Sequence, residues 1–117
     1  MKKITAVIRP EKLNVIKKSL NSVEVFLMTI TDARGYGSEK SPEEVYRGQE
    51  YSEGSIPKVK LEIAVNDNFV EPTVDAIVQA ARSGDVGELG DGKIFIEPLE
   101  DCIRIRTGER GSEAIGP

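Results

Sequence analysis

The 117-residue sequence contains no histidine and a single cysteine, Cys102. Without histidine, a histidine-activated nucleophile, a histidine-ligated metal and a histidine pH switch are all excluded. One cysteine cannot form an intrachain disulfide, so a reducing, cytoplasmic location is expected. No apolar run reaches membrane-spanning length and no signal-peptide core follows the first residues, so membrane insertion is not expected.

Aromatic residues make up only 5% of the chain, and acidic residues outnumber basic ones by 20 to 16. A nonspecific nucleic-acid binder normally carries the opposite charge balance, and an RNA-binding sheet needs stacking aromatics. Nucleic acid is therefore not an expected partner. The remaining composition, 38% hydrophobic and 31% charged, is that of one globular domain over residues 1–117.

Hydrophobic periodicity predicts the elements of this domain. Alternating apolar residues predict strands over 4–9, 23–33, 58–65, 94–96 and 103–105, and helical spacing predicts helices over 11–22 and 70–81. Asn68 is expected to cap the second helix. Long loops are predicted at 35–57 and 83–93, and a mobile tail at 110–117. The order β-α-β-β-α-β indicates an α+β, ferredoxin-like domain with two helices on one face of an antiparallel sheet.

The most informative segment is the glycine-rich loop 83–93, which ends at Lys93. Glycines let backbone N–H groups turn toward an anion, and a lysine adds a compact positive charge. The spacing is not that of a Walker motif, because Lys93 leads into a strand and not into a helix. From spacing alone, a helix C-cap followed by a turn explains the segment at least as well as an anion site.

Two further segments leave alternatives open. Arg104 and Arg106 project from the same face of a predicted strand, where they would bind either a phosphate chain or nearby carboxylates. Tyr46 and Tyr51 are either solvent-exposed loop residues or a site of recognition or covalent modification. Cys102, in an apolar strand, is expected to be a small core residue. No catalytic constellation emerges from the residues.

Several blocks of sequence together resemble the PII signal-transduction family. They are Met1-Lys2-Lys3-Ile4, Gly35-Tyr36-Gly37, Tyr46-Arg47-Gly48, Pro57-Lys58-Val59-Lys60, Gly90-Asp91-Gly92-Lys93-Ile94-Phe95 and Arg104-Ile105-Arg106-Thr107-Gly108-Glu109. The last two blocks are specific to the family, and the resemblance covers nearly the whole chain.

The resemblance implies a homotrimer that binds ATP or ADP in clefts between neighbouring subunits and is not an enzyme. It also implies that loop 35–57 docks onto a target protein, such as an ammonium channel or a metabolic enzyme, to regulate nitrogen metabolism. The implied nucleotide ligands on one side of the cleft are Thr29, Gly37, Glu62, Gly87, Gly90, Asp91, Gly92 and Lys93. Arg104 and Arg106 would reach the phosphates from the adjacent subunit. Lys58 matches the lysine that pairs with the carboxylate of 2-oxoglutarate, and Tyr51 the tyrosine that some members uridylylate.

The sequence departs from the family pattern at two places. Ser38-Glu39-Lys40-Ser41 stands where the family usually has Arg-Gln-Lys-Gly, so the preference for ATP over ADP should weaken. Glu39 offers a hard oxygen to Mg²⁺ but places another anion beside a triphosphate and a dicarboxylate, which disfavours 2-oxoglutarate. The phosphate loop carries three extra residues within 86–90. We favour Gly90-Asp91, in register with Lys93, as the pair at the phosphates, with Gly87-Glu88 as the alternative.

Three functions follow from these observations. The first is a trimeric nucleotide-sensing regulator of nitrogen metabolism. The second is a PII-like paralogue that senses ADP, AMP or another small anion without responding to 2-oxoglutarate. The third is a weak nucleotide hydrolase, which the lack of an evident general base disfavours.

Overall fold

The computed structural model describes residues 1–37 and 55–116. The main elements are four strands and two long helices. In chain order they are β1 (Lys2–Ile8), α1 (Leu13–Ser22), β2 (Thr29–Tyr36), β3 (Ser55–Val65), α2 (Val70–Ala81) and β4 (Gly92–Pro98), followed by the short α3 (Ser112–Ile115). One turn of 3-10 helix precedes α1 at Pro10–Lys12 and another precedes α2 at Asp67–Phe69. Within the described residues, no helix is long and apolar enough to cross a membrane.

The strands form one antiparallel sheet in the order β2-β3-β1-β4. The middle of β1 fixes the register, because Ile4 lies opposite Ile63 of β3 and Ile96 of β4. This order and direction are those of a ferredoxin-like sheet, so the predicted fold class is confirmed.

The core lies between the sheet and the two long helices. Alternate β1 residues Ile4, Ala6 and Ile8 are buried on this face, as are Leu61 and Ile63 of β3. The helices contribute Ile16, Leu20 and Ile77, whose spacing puts them on the sheet-facing side. Complete burial of each such large aliphatic side chain stabilises the fold by about 1.5–3 kcal/mol. A hydrogen bond of 2.9 Å from the Ser19 hydroxyl to the Ala76 carbonyl joins the two helices.

The opposite face of the sheet is not covered by any helix among residues 1–37 and 55–116, and we call it the open face. Its residues alternate with the core residues along each strand and include Thr5, Val7, Lys60, Glu62 and Phe95. Phe95 is 51% exposed here. The open face is where the first cleft described below is found.

The second and third strands differ in extent from the prediction. β2 begins at Thr29 and not at residue 23, because Glu24 adopts a left-handed turn at φ 64° directly after α1. Val25 still enters the core, whereas Phe26 and Leu27 are exposed. β3 begins at Ser55, so cross-strand pairing extends the hairpin into both ends of the predicted loop 35–57. Residues 38–54 of that loop lie outside the described residues.

The prediction of a strand over residues 103–105 is wrong. Among the described residues it forms only an isolated bridge between Ile103 and Arg110, because no strand of the same chain lies alongside it. A tight turn follows, in which the Arg104 backbone carbonyl accepts the Gly108 amide at 2.7 Å. The Arg104 backbone amide donates to the Glu109 carbonyl. Consequently Cys102 is only half-buried and lies outside the core, contrary to the expectation that it is a small core residue.

The start of α2 and the C-terminal segment also differ from expectation. Asn68 lies inside the 3-10 helix and makes no side-chain capping bond, so it is not the N-cap of α2. The predicted mobile tail contains α3, whose Ile115 is buried. The Asn66 amide donates to the Gly116 carbonyl at 2.7 Å, which ties this segment to the end of β3.

Candidate functional site

A cleft of about 440 Å³ opens on the open face of the sheet, at the end where β1, β3 and β4 meet the glycine loop. We call it the open-face cleft. Strand residues and loop backbone share its lining, which includes Val7, Gly35, Lys58, Gly90, Gly92, Lys93 and Phe95. The cleft therefore brings together four segments that are far apart in the sequence.

The junction of the loop with β4 depends on Gly92. It pairs with Ile8 across the sheet and has a φ of +115°, which favours glycine. A Cβ atom at this position would lie 1.8 Å from the Val7 carbonyl oxygen. Only glycine lets the loop approach β1 this closely, so Gly92 sets the position of the neighbouring Lys93.

Asp91 holds the loop together from within. Its Oδ1 accepts the Ser83 hydroxyl at 2.6 Å and the Arg9 Nε at 3.2 Å, and its Oδ2 accepts the amides of Ser83 at 2.9 Å and Glu88 at 2.8 Å. Burial of the carboxylate opposes its ionisation, but these hydrogen bonds outweigh burial and hold the pKa of Asp91 well below its usual range. Asp91 is thus a loop-organising anion whose charge is already neutralised by partners in its own chain.

Arg9 is a residue of this site that the sequence analysis missed. It follows β1, its side chain is only 12% exposed, and it donates to the Leu89 carbonyl at 2.7 Å as well as to Asp91. Its guanidinium also lies 3.9 Å from the Glu88 carboxylate. Its only sequence signal is a charged residue at the end of an apolar strand before Pro10, which by itself names no partner.

Lys58 is the buried cation of the cleft. It is 4% exposed, although lysine is rarely buried without a partner, and its Nζ donates to the Gly90 carbonyl at 2.8 Å. This bond links the predicted effector-binding lysine directly to the predicted phosphate loop. Lys93, in contrast, is exposed and is the second residue of β4.

Four ligands predicted for one side of the nucleotide cleft, Thr29, Gly37, Glu62 and Gly87, do not line the open-face cleft, and Gly87 lies on the opposite side of the glycine loop. Thr29 and Glu62 face each other across β2 and β3 on the open face but do not line the cleft. Glu62 pairs with Lys3 at 2.7 Å, and this hydrogen-bonded ion pair lowers the pKa of Glu62. Gly37 directly follows β2, at the edge of the described residues.

The two arginines do not share a strand face, which corrects the sequence interpretation. Arg104 is held by its own chain: it pairs with Glu109 at 2.6 Å and donates to the Glu113 carbonyl at 2.9 Å. Arg106 lies exposed in the turn that follows. Neither lines the open-face cleft of the same chain.

The remaining predictions, Glu39 as a Mg²⁺ ligand and Tyr51 as a modified residue, lie outside the described residues. Within residues 1–37 and 55–116, no three His, Cys, Asp or Glu side chains are grouped so that they could hold a metal ion.

A second cleft, of about 640 Å³, lies on the other side of the glycine loop. We call it the helix-side cleft, because it is bounded by α2, the loop and the core-facing side of β4. Gly87, Glu88 and Leu89 contribute to its lining, and the latter two line both clefts. The glycine loop is therefore a thin wall between two cavities.

Comparison with known proteins agrees with this architecture. The family model of nitrogen regulatory protein P-II matches residues 1–109. The chain is 50% identical to nitrogen regulatory protein GlnK1 of Methanosarcina mazei and 48% identical to nitrogen regulatory protein P-II of Azospirillum brasilense. Each alignment spans 115 residues, which is 98% of this chain and 97% and 100% of the respective relatives.

A solved structure, Arabidopsis thaliana PII bound to citrate, superimposes with a TM-score of 0.76 at 34% identity. The match covers 97% of this chain and 88% of that chain. The predicted family resemblance is thereby confirmed over the full length of the domain. The chain belongs to the nitrogen regulatory protein P-II family, whose members are signal-transduction proteins that regulate nitrogen metabolism.

Proposed function

We propose that the chain binds ATP or ADP in the open-face cleft, as a homotrimer, and transmits the bound state to a target protein through loop 35–57. The observation that supports this best is the meeting of Lys58, Lys93 and glycine backbone at one cleft. Since the Asp91 carboxylate accepts hydrogen bonds from the loop residues Ser83 and Glu88 and from Arg9, it does not repel an incoming phosphate as a bare carboxylate would. The cleft volume is within the range of about 300–1,000 Å³ common for small-molecule sites.

The lining suggests how a nucleotide is oriented. Lys93 and the glycine backbone near Gly90 and Gly92 suit the phosphates, because they combine a point charge with backbone that a ligand can approach closely. Val7 and Phe95, on adjacent strands, offer an apolar wall for the base. The phosphate end of the ligand thus lies at the loop and the base lies over the sheet.

A single chain provides only part of the proposed site. Arg104 and Arg106 lie outside the open-face cleft of their own chain, and we assign them to the cleft of a neighbouring copy, as the resemblance implies. Thr29 and Glu62, expected on the same side as the glycine loop, do not line that cleft either, so we revise their assignment to the neighbouring copy. Gly37, at the start of loop 35–57, would report the ligand to that loop. Because Arg104 is already tied to Glu109, the exposed Arg106 is the freer of the two to reach a phosphate.

A carboxylate effector is a second proposed ligand. Lys58 lies at the cleft, and the related Arabidopsis protein was solved with citrate bound. An effector carboxylate at Lys58 would compete with the Gly90 carbonyl for the ammonium group, so effector binding would act on the phosphate loop. We retain Glu39 as the proposed Mg²⁺ ligand beside ATP, Tyr51 as the proposed modification site, and an ammonium channel or metabolic enzyme as the proposed target.

Calorimetry on nucleotide-stripped protein tests the nucleotide site. We expect ATP and ADP to bind once per chain, and Lys93→Gln to weaken both at least tenfold through loss of a charge-assisted hydrogen bond of about 1.5–3 kcal/mol. Lys60→Gln is the matched control, because Lys60 lies on the open face but outside the cleft. An equal loss of nucleotide affinity in the two variants, or no nucleotide binding at all, would refute the assignment of the nucleotide to this cleft.

Three further readouts separate the alternatives. Native mass spectrometry should give about three times the chain mass of 12.8 kDa. A titration of 2-oxoglutarate into the Mg-ATP form distinguishes a carbon-responsive regulator, which binds it, from a paralogue that senses only nucleotide. ATP that stays intact for hours on the protein supports a sensor, whereas steady turnover that Lys93→Gln abolishes would favour the hydrolase.

A further inference from the structure

The helix-side cleft is a cavity that the proposed nucleotide site does not use. It lies on the face of the sheet opposite the open-face cleft, because α2 packs over β1 and leaves β4 uncovered. Its walls are aliphatic, with contributions from all three surrounding segments. They include Val74, Ile77 and Val78 of α2, Ile94 and Ile96 of β4, and Leu89 of the loop.

Much of this aliphatic surface is in contact with water in the single chain. Ile96 is 47% exposed and Leu89 70% exposed, although Ile96 lies on the core-facing side of its strand. The cleft volume of about 640 Å³ is well above the space left by ordinary packing defects and falls in the range of small-molecule sites. Burial of these side chains by an apolar ligand would be favourable.

The charge at the mouth of the cleft selects the polar part of such a ligand. The stem of Arg82 packs on the loop, since a Cβ atom at Gly87 would lie 3.4 Å from its Cγ. Arg82 is exposed, and within the part of the chain described here it has no ion-pair partner within 4.0 Å. The two carboxylates at the cleft are already engaged, Glu88 by Arg9 and Asp91 by the loop. Lys93 also lines this cleft, so the three cations Arg9, Arg82 and Lys93 outnumber the two carboxylates and the net charge around the mouth is positive.

We propose that the helix-side cleft binds an aliphatic carboxylate. The hydrocarbon chain lies between α2 and β4. The carboxylate pairs with the Arg82 guanidinium, which donates two parallel hydrogen bonds to it in a forked geometry. The two clefts share a wall formed by the glycine loop and Lys93, and the proposed alkyl site lies on the helix side of that wall.

Calorimetry with decanoate, on the full chain without nucleotide, tests the proposal. We expect one decanoate per chain, no measurable binding of butyrate, and much weaker binding of decyltrimethylammonium, which has the same alkyl length and the opposite charge. Val78→Trp fills the cleft and should abolish binding, whereas Val15→Trp, on the exposed side of α1, should leave it unchanged. Arg82→Gln should weaken binding about tenfold, and Lys17→Gln on α1 should not.

Two results would overturn the assignment. One is decanoate binding of equal strength in wild type and in folded Val78→Trp, and the other is equal binding of the anion and the cation. Absence of decanoate binding at millimolar concentration would also overturn it, as expected if a second copy of the chain covers the cleft. Should Val78→Trp fail to fold, amide chemical shifts of the wild-type protein decide: decanoate must shift residues of α2 and β4, and shifts confined elsewhere refute the site.

Discussion

Replacement of Asp91 by asparagine tests whether this carboxylate organises the glycine loop. The substitution keeps the shape of the side chain but removes its charge and one of its two accepting oxygens. If the carbonyl oxygen of asparagine retains the two backbone amides, the bonds from the Ser83 hydroxyl and Arg9 are lost. Asp85→Asn is the matched control, because Asp85 is an exposed carboxylate in the same loop.

The expected cost follows from the hydrogen bonds. Bonds to a charged group contribute about 1.5–3 kcal/mol each, but water partly replaces them in a loop, so we expect Asp91→Asn to lower the free energy of unfolding by about 2 kcal/mol. For a domain of this size, that corresponds to a thermal midpoint lowered by roughly 8 °C. Asp85→Asn should stay within about 0.5 kcal/mol of wild type. All variants are compared at one protein concentration, since oligomerisation contributes to apparent stability.

The effect should also depend on pH. The pKa of Asp91 is lowered in the folded state relative to its ordinary value of 3.8, so its stabilisation is fully present above that value. The stabilisation is lost as the pH falls through the folded pKa. The difference between wild type and Asp91→Asn should thus be constant from pH 5 to 7 and narrow below about pH 4. Urea unfolding of both proteins between pH 2.5 and 7 measures it, and a difference that is absent at pH 7 or widens in acid would refute the assigned role.

Other substitutions test the packing around the site and the core. Gly92→Ala should unfold or displace the start of β4, because its Cβ atom would collide with the Val7 carbonyl. Gly84→Ala is the control: Gly84 has open space around it, so this substitution should lower the free energy of unfolding by only about 1 kcal/mol. The midpoints of urea unfolding compare the two variants. Ser19→Ala should cost about 1 kcal/mol by removal of the bond between α1 and α2, and an unchanged midpoint would contradict that link. Thr73→Val should leave stability unchanged or raise it by up to about 1 kcal/mol, since the buried Thr73 hydroxyl has no hydrogen-bond partner; a clear loss in thermal unfolding would show that the hydroxyl is paired.

The sequence determined the fold class through local patterns. The period-2 alternation of Ile4, Ala6 and Ile8 and the helical spacing in α2 need no distant partner to be recognised. The family motifs in loops 35–57 and 83–93 likewise identified the P-II family directly. These features depend on residue types at short spacing, which a linear sequence displays completely.

The tertiary structure decided everything that depends on residues distant in the chain. Segment 103–105 has a strand-like composition but pairs with no strand among the described residues, so it forms a bridge and a turn. Asp91 was predicted to contact phosphate, yet its oxygens accept bonds from Ser83, Glu88 and the distant Arg9. The helix-side cleft exists because α2 packs over β1 and leaves β4 open. Strand pairing, charge neutralisation and cavity formation are set by which elements meet in space, and short-range sequence patterns do not specify that meeting.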